Sequence, residues 1–223
     1  MSSDIGITGP PRRLTRASLS TGARQLAASD PDLGDVIRRL GEPPMWGRRP
    51  GFATLIQIIL EQQVSLAAAR TAYRRIVGRL GAMTPEAVHA VRESGLRNLG
   101  LTRQKAAYCH GLAMRILDGS LDLGVVARSP DGVGRQILLE VPGLGPWSVD
   151  IYYLMALGRP DVWPQGDLAL ASAILDVKRL AALPTRDEQQ ALARDWAPWR
   201  SVAARLLWAH YLAARGRYLP RRD

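Results

Sequence analysis

Apolar residues in this chain recur at three- and four-residue intervals, and nowhere do they alternate with polar ones over a strand's length. That regularity confines the fold to packed helices. A period near 3.6 gives each segment one apolar stripe to bury, whereas a half-buried sheet needs a period of 2. The clearest case follows Ser65, a good N-cap. Leu66, Ala69, Ala72, Tyr73, Ile76, Val77 and Leu80 form the stripe, and Arg70, Arg74, Arg75 and Arg79 face away. Breakers divide the remainder: GEPPMWGRRPG at 41–51, Thr84-Pro85-Glu86, Ser129-Pro130-Asp131 and the PGLG turn. Helices are expected over about 31–40, 52–62, 66–80, from Thr84-Pro85-Glu86 on, and over 102–117, 131–140, 146–158, 168–180, 187–195 and 199–215. The expected fold class is therefore all-α with about ten helices, without internal repeats. The first 25 residues mix Pro, Gly, Ser, Thr and Arg, and read as a flexible basic arm (1–25) before the helical domain (26–223).

Composition narrows the partner. Of 223 residues, 30 are Lys or Arg and 20 Asp or Glu, a net charge of +10. Such an excess favours a polyanion through phosphate neutralisation, or else is a solvated basic surface. No apolar run approaches the roughly 20 residues of a spanning helix, so no membrane partner is expected. The N-terminus has no apolar core of a secretory signal, which points to the interior of the cell. One cysteine, Cys109, leaves no internal disulfide and no four-cysteine cluster. His89 and His110 lack partners at metal-ligand spacing, and His210 falls on an apolar stripe.

The turn VPGLGPW (141–147) interrupts helix-forming sequence with two glycines. Gly143 and Gly145 allow positive φ or close backbone approach, and free N–H groups at the following helix would make a small anion-binding nest. The same turn could equally be a plain connector between two helices. About twenty residues on, VWPQGDLAL places Asp167 directly before a helix, where an N-cap is a sufficient reason for it. On the last helix Trp208 lies off the stripe of Trp199, Val202, Ala203, Leu206, Leu207, His210 and Tyr211, so a substrate cleft or an overlying element has to cover it. Of Tyr152 and Tyr153, one is expected in a pocket and the other in the core. Trp196 and Trp199 are expected to brace the start of the last helix. Asp150 and Asp176 read as ordinary helix-face charges.

Hairpin, helix and Gly-Asp segment in this order resemble the helix-hairpin-helix DNA glycosylases with the Gly/Pro…Asp signature, and most nearly the DNA-3-methyladenine glycosylase II type. LIQIILEQQVSLAAAR (55–70), LTRQKAAY (101–108) and WAPWRSVAARLLW (196–208) carry the resemblance further. It implies a compact form without a β-rich N-terminal domain, two helical lobes flanking a cleft, and monofunctional excision of alkylated purines from flipped nucleotides. Asp167 would be the catalytic carboxylate, and Trp147, Trp208 and Tyr152 the pocket. Gln62, Gln63, Ser65, Pro142, Gly143 and Gly145 would contact DNA, with Gln63 filling the vacated stack. Glu61 stands where the family usually has a small residue. A structural Na⁺ or K⁺ on the Val141 and Leu144 carbonyls is implied too, but no required cofactor. Bifunctional relatives carry a lysine where this chain has Trp147. The implied partner is damaged double-stranded DNA, met by a monomer in the bacterial cytoplasm at the nucleoid. The alternatives are a non-catalytic DNA-binding or damage-sensing module, or a glycosylase for another lesion such as a deaminated purine.

Overall fold

The computed structural model describes residues 13–218, and among these the fold is all-helical, with twelve α-helices and one π-helical turn. Two helices join the expected ten. The first, α1 (Arg16–Ser29), corrects the reading of residues 1–25 as a flexible arm. Thr15 and Ser18 close a capping box at its start, and Leu19, Gly22, Ala23 and Leu26 bury one face. Residues 1–12 of that arm lie outside the described residues. The second, α7 (Leu123–Arg128), spans under two turns, too short for a period to show.

The chain divides into two compact units, one of which is discontinuous in sequence (up to residue 47, and from Tyr153 on). It holds α1, α2 (Pro31–Leu40), α10 (Leu168–Lys178), α11 (Arg186–Arg194) and α12 (Arg200–Ala213). α12 is its axis, buried continuously from Ser201 to Ala209. The polar residues in that run are paired. Ser201 Oγ accepts from Val162 N–H (3.0 Å) and donates to Val162 C=O (3.3 Å). Arg205, 1% exposed, donates to the carbonyls of Trp46 (2.7 Å), Leu154 (3.3 Å) and Ser201 (3.4 Å). Burial away from any carboxylate depresses that guanidinium's pKa to about 10. Trp199 packs its ring where a Cβ on Gly22 would sit, and its indole N–H donates to Gln25.

The continuous unit, Arg48–Tyr152, holds α3 (Phe52–Glu61), α4 (Leu66–Leu80), α5 (Pro85–Asn98), α6 (Arg103–Leu117), α7, α8 (Asp131–Leu139) and α9 (Pro146–Ile151). Caps set most of its helix starts: Ser65, Thr84, Thr102 and Asp122 each accept from a backbone N–H of the first turn. α3 is buried nearly all round, which its dense apolar run from Phe52 to Leu60 requires. Beyond α9 the chain passes into a π-helical turn, Tyr152–Ala156.

Candidate functional site

In the discontinuous unit, the segment before α10 is fixed at both ends. Val162 and Trp163 are buried, Val162 held by Ser201 and Trp163 set against Trp196 with ring centroids 5.3 Å apart. Pro164 accepts from Asp167 N–H (3.4 Å) across a turn completed by Gly166 at φ 73°. Asp167 therefore arrives at the N-terminus of α10 in a defined pose. Its Oδ1 caps the helix, accepting from Leu170 N–H at 2.9 Å, and also takes a longer contact (3.4 Å) from the indole N–H of Trp208. The residue is half-buried. Leu168 beside it is 76% exposed, an apolar side chain left open next to a carboxylate. No residue type at 168 announces that exposure in the sequence.

Trp208 has the partner its position demanded, though for a different reason. The off-stripe reasoning takes the far side of α12 as open, but α12 is buried on every side. What distinguishes Trp208 is its contact with Asp167. The rival carboxylates separate cleanly. Asp176 is exposed, 3.8 Å from His210. Asp150 is 1% exposed and paired with Arg135. The reading of Asp150 as a surface helix charge is thus corrected: it ties α8 to α9.

In the continuous unit the 141–147 turn joins α8 to α9 as a helical hairpin. Val141 and Leu144 bury their side chains, and Leu144 N–H donates to Val141 C=O at 3.0 Å. Gly143 holds φ 93°, and a Cβ there would lie 2.4 Å from the Tyr108 ring. Gly145 needs no such latitude, with φ −83° and open space around a Cβ. The expectation of positive φ at the second glycine is therefore corrected, and the space beside it is open to an approaching backbone. Pro142 and Gly145 are exposed, and Trp147, in the first turn of α9, is half-buried.

The turn between α3 and α4 divides its two glutamines. Gln62 faces inward, its Nε2 donating to Gly143 C=O (2.8 Å) and Ser148 Oγ (2.9 Å), so the DNA-contact reading of Gln62 gives way to a brace between two turns. Gln63 is exposed in a left-handed conformation, φ 56°, and Val64 and Ser65 are exposed beside it. A non-glycine residue held at that φ costs backbone energy and marks a tip whose shape matters. Val64 at 45% and Leu66 at 53% exposure add apolar surface that the sequence reading passed over. Glu61 gains its account here. It is buried, and both its oxygens accept from Arg48 Nη2 at 2.9 Å.

Lys105, also unassigned from sequence, donates to the carbonyls of Leu60 (2.7 Å) and Gln62 (2.9 Å), the C-terminal end of α3. Burial pushes its amine below the ordinary lysine value. The available signal was its rarity, one of two lysines in a chain whose cations are otherwise arginines. Tyr152 departs from expectation: it and Tyr153 are both fully buried, and Tyr152 Oη accepts from Gly51 N–H at 3.0 Å. Neither ring is presented to solvent, so the pocket reading of Tyr152 is corrected to core. Cys109 is buried with its thiol pushed up to about 12, which removes it as a nucleophile. Among the described residues no cluster of metal-ligating side chains occurs, and no helix is long and apolar enough to cross a membrane.

Residues 56–199 match the family model of the HhH-GPD superfamily base excision DNA repair protein. YfjP of Bacillus subtilis (strain 168) is 29% identical over 165 residues, covering 70% of this chain; the chain spans only 58% of that relative's length. The crystal structure of DNA-3-methyladenine glycosidase from Bacillus halodurans superposes with a TM-score of 0.75 at 25% identity, covering 88% of this chain and 92% of that one. Schizosaccharomyces pombe 3-methyladenine DNA glycosylase Mag1, solved in complex with abasic DNA, shares the fold with a TM-score of 0.78 at 22% identity, over 84% and 95% of the two chains.

Proposed function

Because the chain belongs to the HhH-GPD superfamily of base excision DNA repair proteins, we propose that it is a monofunctional DNA N-glycosylase that releases alkylated purines from double-stranded DNA. The observation that carries the chemistry is Asp167, a half-buried carboxylate fixed by Leu170 N–H and the Trp208 indole. A purine alkylated at a ring nitrogen is cationic and leaves as a neutral base, taking the electrons of the C1′–N bond. The sugar then carries oxocarbenium character. Asp167 stabilises that charge and accepts a proton from the water whose oxygen bonds to C1′. The Trp208 indole N–H keeps the carboxylate in register, and its ring offers an electron-rich face to an extruded cationic base; Trp147 is proposed as a pocket aromatic by the same chemistry.

DNA is held, on this reading, by the exposed hairpin at Pro142–Gly145 and by the α3–α4 tip, where Gln63 and Val64 fill the space the base leaves. The Val141 and Leu144 carbonyls would hold a monovalent cation that screens a phosphate at the hairpin. The fit is allowed, because Val141 C=O accepts one backbone hydrogen bond and keeps a second lone pair.

Strand cleavage through a Schiff base needs a free amine, and both lysines are spent. Lys105 serves the end of α3, and Lys178 bridges Asp30 and Asp32. The test is incubation with methylated DNA beside Asp167→Asn. Wild type should release 3-methyladenine, give strand breaks only after alkali and form no borohydride-trapped adduct, and the variant should bind DNA without excision. An inactive wild type overturns the enzyme assignment, a trapped adduct overturns monofunctionality, and an active Asp167→Asn removes Asp167 from the chemistry.

A further inference from the structure

Between Glu61 and Glu86 the sequence contains no acidic residue and four arginines, all of them on α4. Arg70, Arg74, Arg75 and Arg79 are exposed, and among the described residues none of them forms an ion pair. Arg75 alone is engaged, donating to Leu99 C=O at 3.1 Å. Spacings of four residues put Arg70 and Arg74 in one column of the helix surface, and Arg75 and Arg79 in the next. The positions between them on this side are small: Ala67, Thr71 and Gly78, all exposed.

Gly78 lowers the centre of this side further. A glycine inside a helix costs stability relative to alanine, and here a Cβ would meet nothing within 4 Å. The fold gives no reason for the missing side chain. A ridge with cations on both flanks and a low centre suits an extended polyanion lying along it.

The stripe also begins at the exposed tip of Gln63 and Val64. With a rise of about 1.5 Å per residue, Arg70 stands roughly 8 Å beyond the Ser65 cap and Arg79 roughly 21 Å. We infer that the arginine side of α4 is a phosphate track that carries the DNA backbone away from the α3–α4 tip. This rests on the duplex-DNA reading above and adds a contact surface of some two to three phosphates, read by charge and not by base sequence. An acidic protein surface is the competing occupant. It is disfavoured because the stripe is narrow and has small residues at its centre.

The test is the salt dependence of binding to an undamaged duplex, measured on the full chain for wild type, Arg70→Gln/Arg74→Gln and a control, Arg24→Gln/Arg194→Gln. The control removes the same charge from exposed arginines of α1 and α11. Thermal melts establish that all three are folded. The α4 pair should weaken binding about tenfold in moderate salt and lower the slope of log K against log salt by about 1.8, two contacts at ~0.9 each. The control should keep the wild-type slope. An unchanged slope in the α4 pair overturns the track and leaves the stripe to an acidic protein partner. An equal loss in the control also overturns it, because net charge alone would then be responsible. If wild type binds duplex with the expected slopes yet releases no methylated base, the glycosylase reading fails and the track stands.

Discussion

Asp167 caps α10 through Oδ1, and the proposed chemistry would give it a second task that can be separated from the first. As an N-cap it contributes about 1 kcal/mol, and asparagine caps nearly as well as aspartate. Asp167→Asn should therefore melt within a degree or two of wild type while excision falls by about 10²–10³, the size of a lost transition-state charge contact. Asp167→Ala should lose both the cap and the chemistry. Melting curves beside single-turnover rates decide this, and a variant in which stability and rate fell together would make Asp167 structural. Trp208→Phe probes the partner: it keeps an aromatic face and removes the indole N–H from Oδ1. Its rate should fall less than that of Trp208→Ala. Glu61 shows the same principle away from the chemistry. A buried carboxylate is tolerated because Arg48 meets both its oxygens, and removing either partner alone leaves an uncompensated charge.

The hairpin and the caps govern the elements. Gly143→Ala forces a Cβ into Tyr108 at a φ that L-residues avoid, so it should destabilise by more than about 1 kcal/mol and displace the turn. Gly145→Ala should be neutral or slightly stabilising by the same measurement, since its φ is ordinary and its surroundings open. Chemical denaturation distinguishes them, and equal effects would sink the assignment of Gly143 as the constrained position. Asp30 joins three elements: it caps α2, accepts from Lys178 of α10 at 2.6 and 2.8 Å, and accepts from the Trp196 indole at 2.8 Å. Burial would raise its pKa, but these donors outweigh burial and hold it below the ordinary carboxylate value. A depressed carboxylate stabilises the fold fully above its unfolded pKa of about 3.9, and that stability is lost as pH falls through the folded value. Wild type should thus lose melting temperature steeply on acidification below about pH 4, and Asp30→Asn should be destabilised at neutral pH with a flatter acid limb. These elements also mark how far the sequence could be read. Helices with a cap, a proline at the first position or a long stripe were legible, as at Ser65, Thr84-Pro85 and Thr102. α1 was hidden because its capping box, Thr15 and Ser18, sits in a Ser/Thr/Gly-rich run that also suits an irregular arm. The N-cap at Asp167 and the positive φ of Gly143 were legible from the residues themselves. The inward turn of Gln62, the burial of Tyr152 and the partners of Glu61 were not, because each depends on a residue far away in sequence.

At the scale of the whole molecule, charge and chemistry follow different rules. A net charge of +10 on 223 residues gives the protein a long-range attraction to any duplex. The proposed contact between Asp167 and a sugar would be short and desolvated, where mobile ions hardly reach. The division of the fold keeps these roles distinct along the chain. Residues 48–152 carry the hairpin, the exposed tip and the arginine stripe of α4, and the discontinuous unit carries Asp167 and Trp208. Salt should accordingly act on encounter and leave the bond-breaking step alone. If about six to ten phosphates are neutralised, affinity for methylated duplex should drop by roughly 10³–10⁵ between about 50 and 200 mM salt. Single-turnover excision with protein in saturating excess should stay within about twofold over the same range. Titrations paired with quenched-flow excision measure both quantities. A saturated rate that tracked the affinity downward would mean that the phosphate contacts themselves assemble the catalytic geometry, and the separation of binding charge from the Asp167 chemistry would then be wrong.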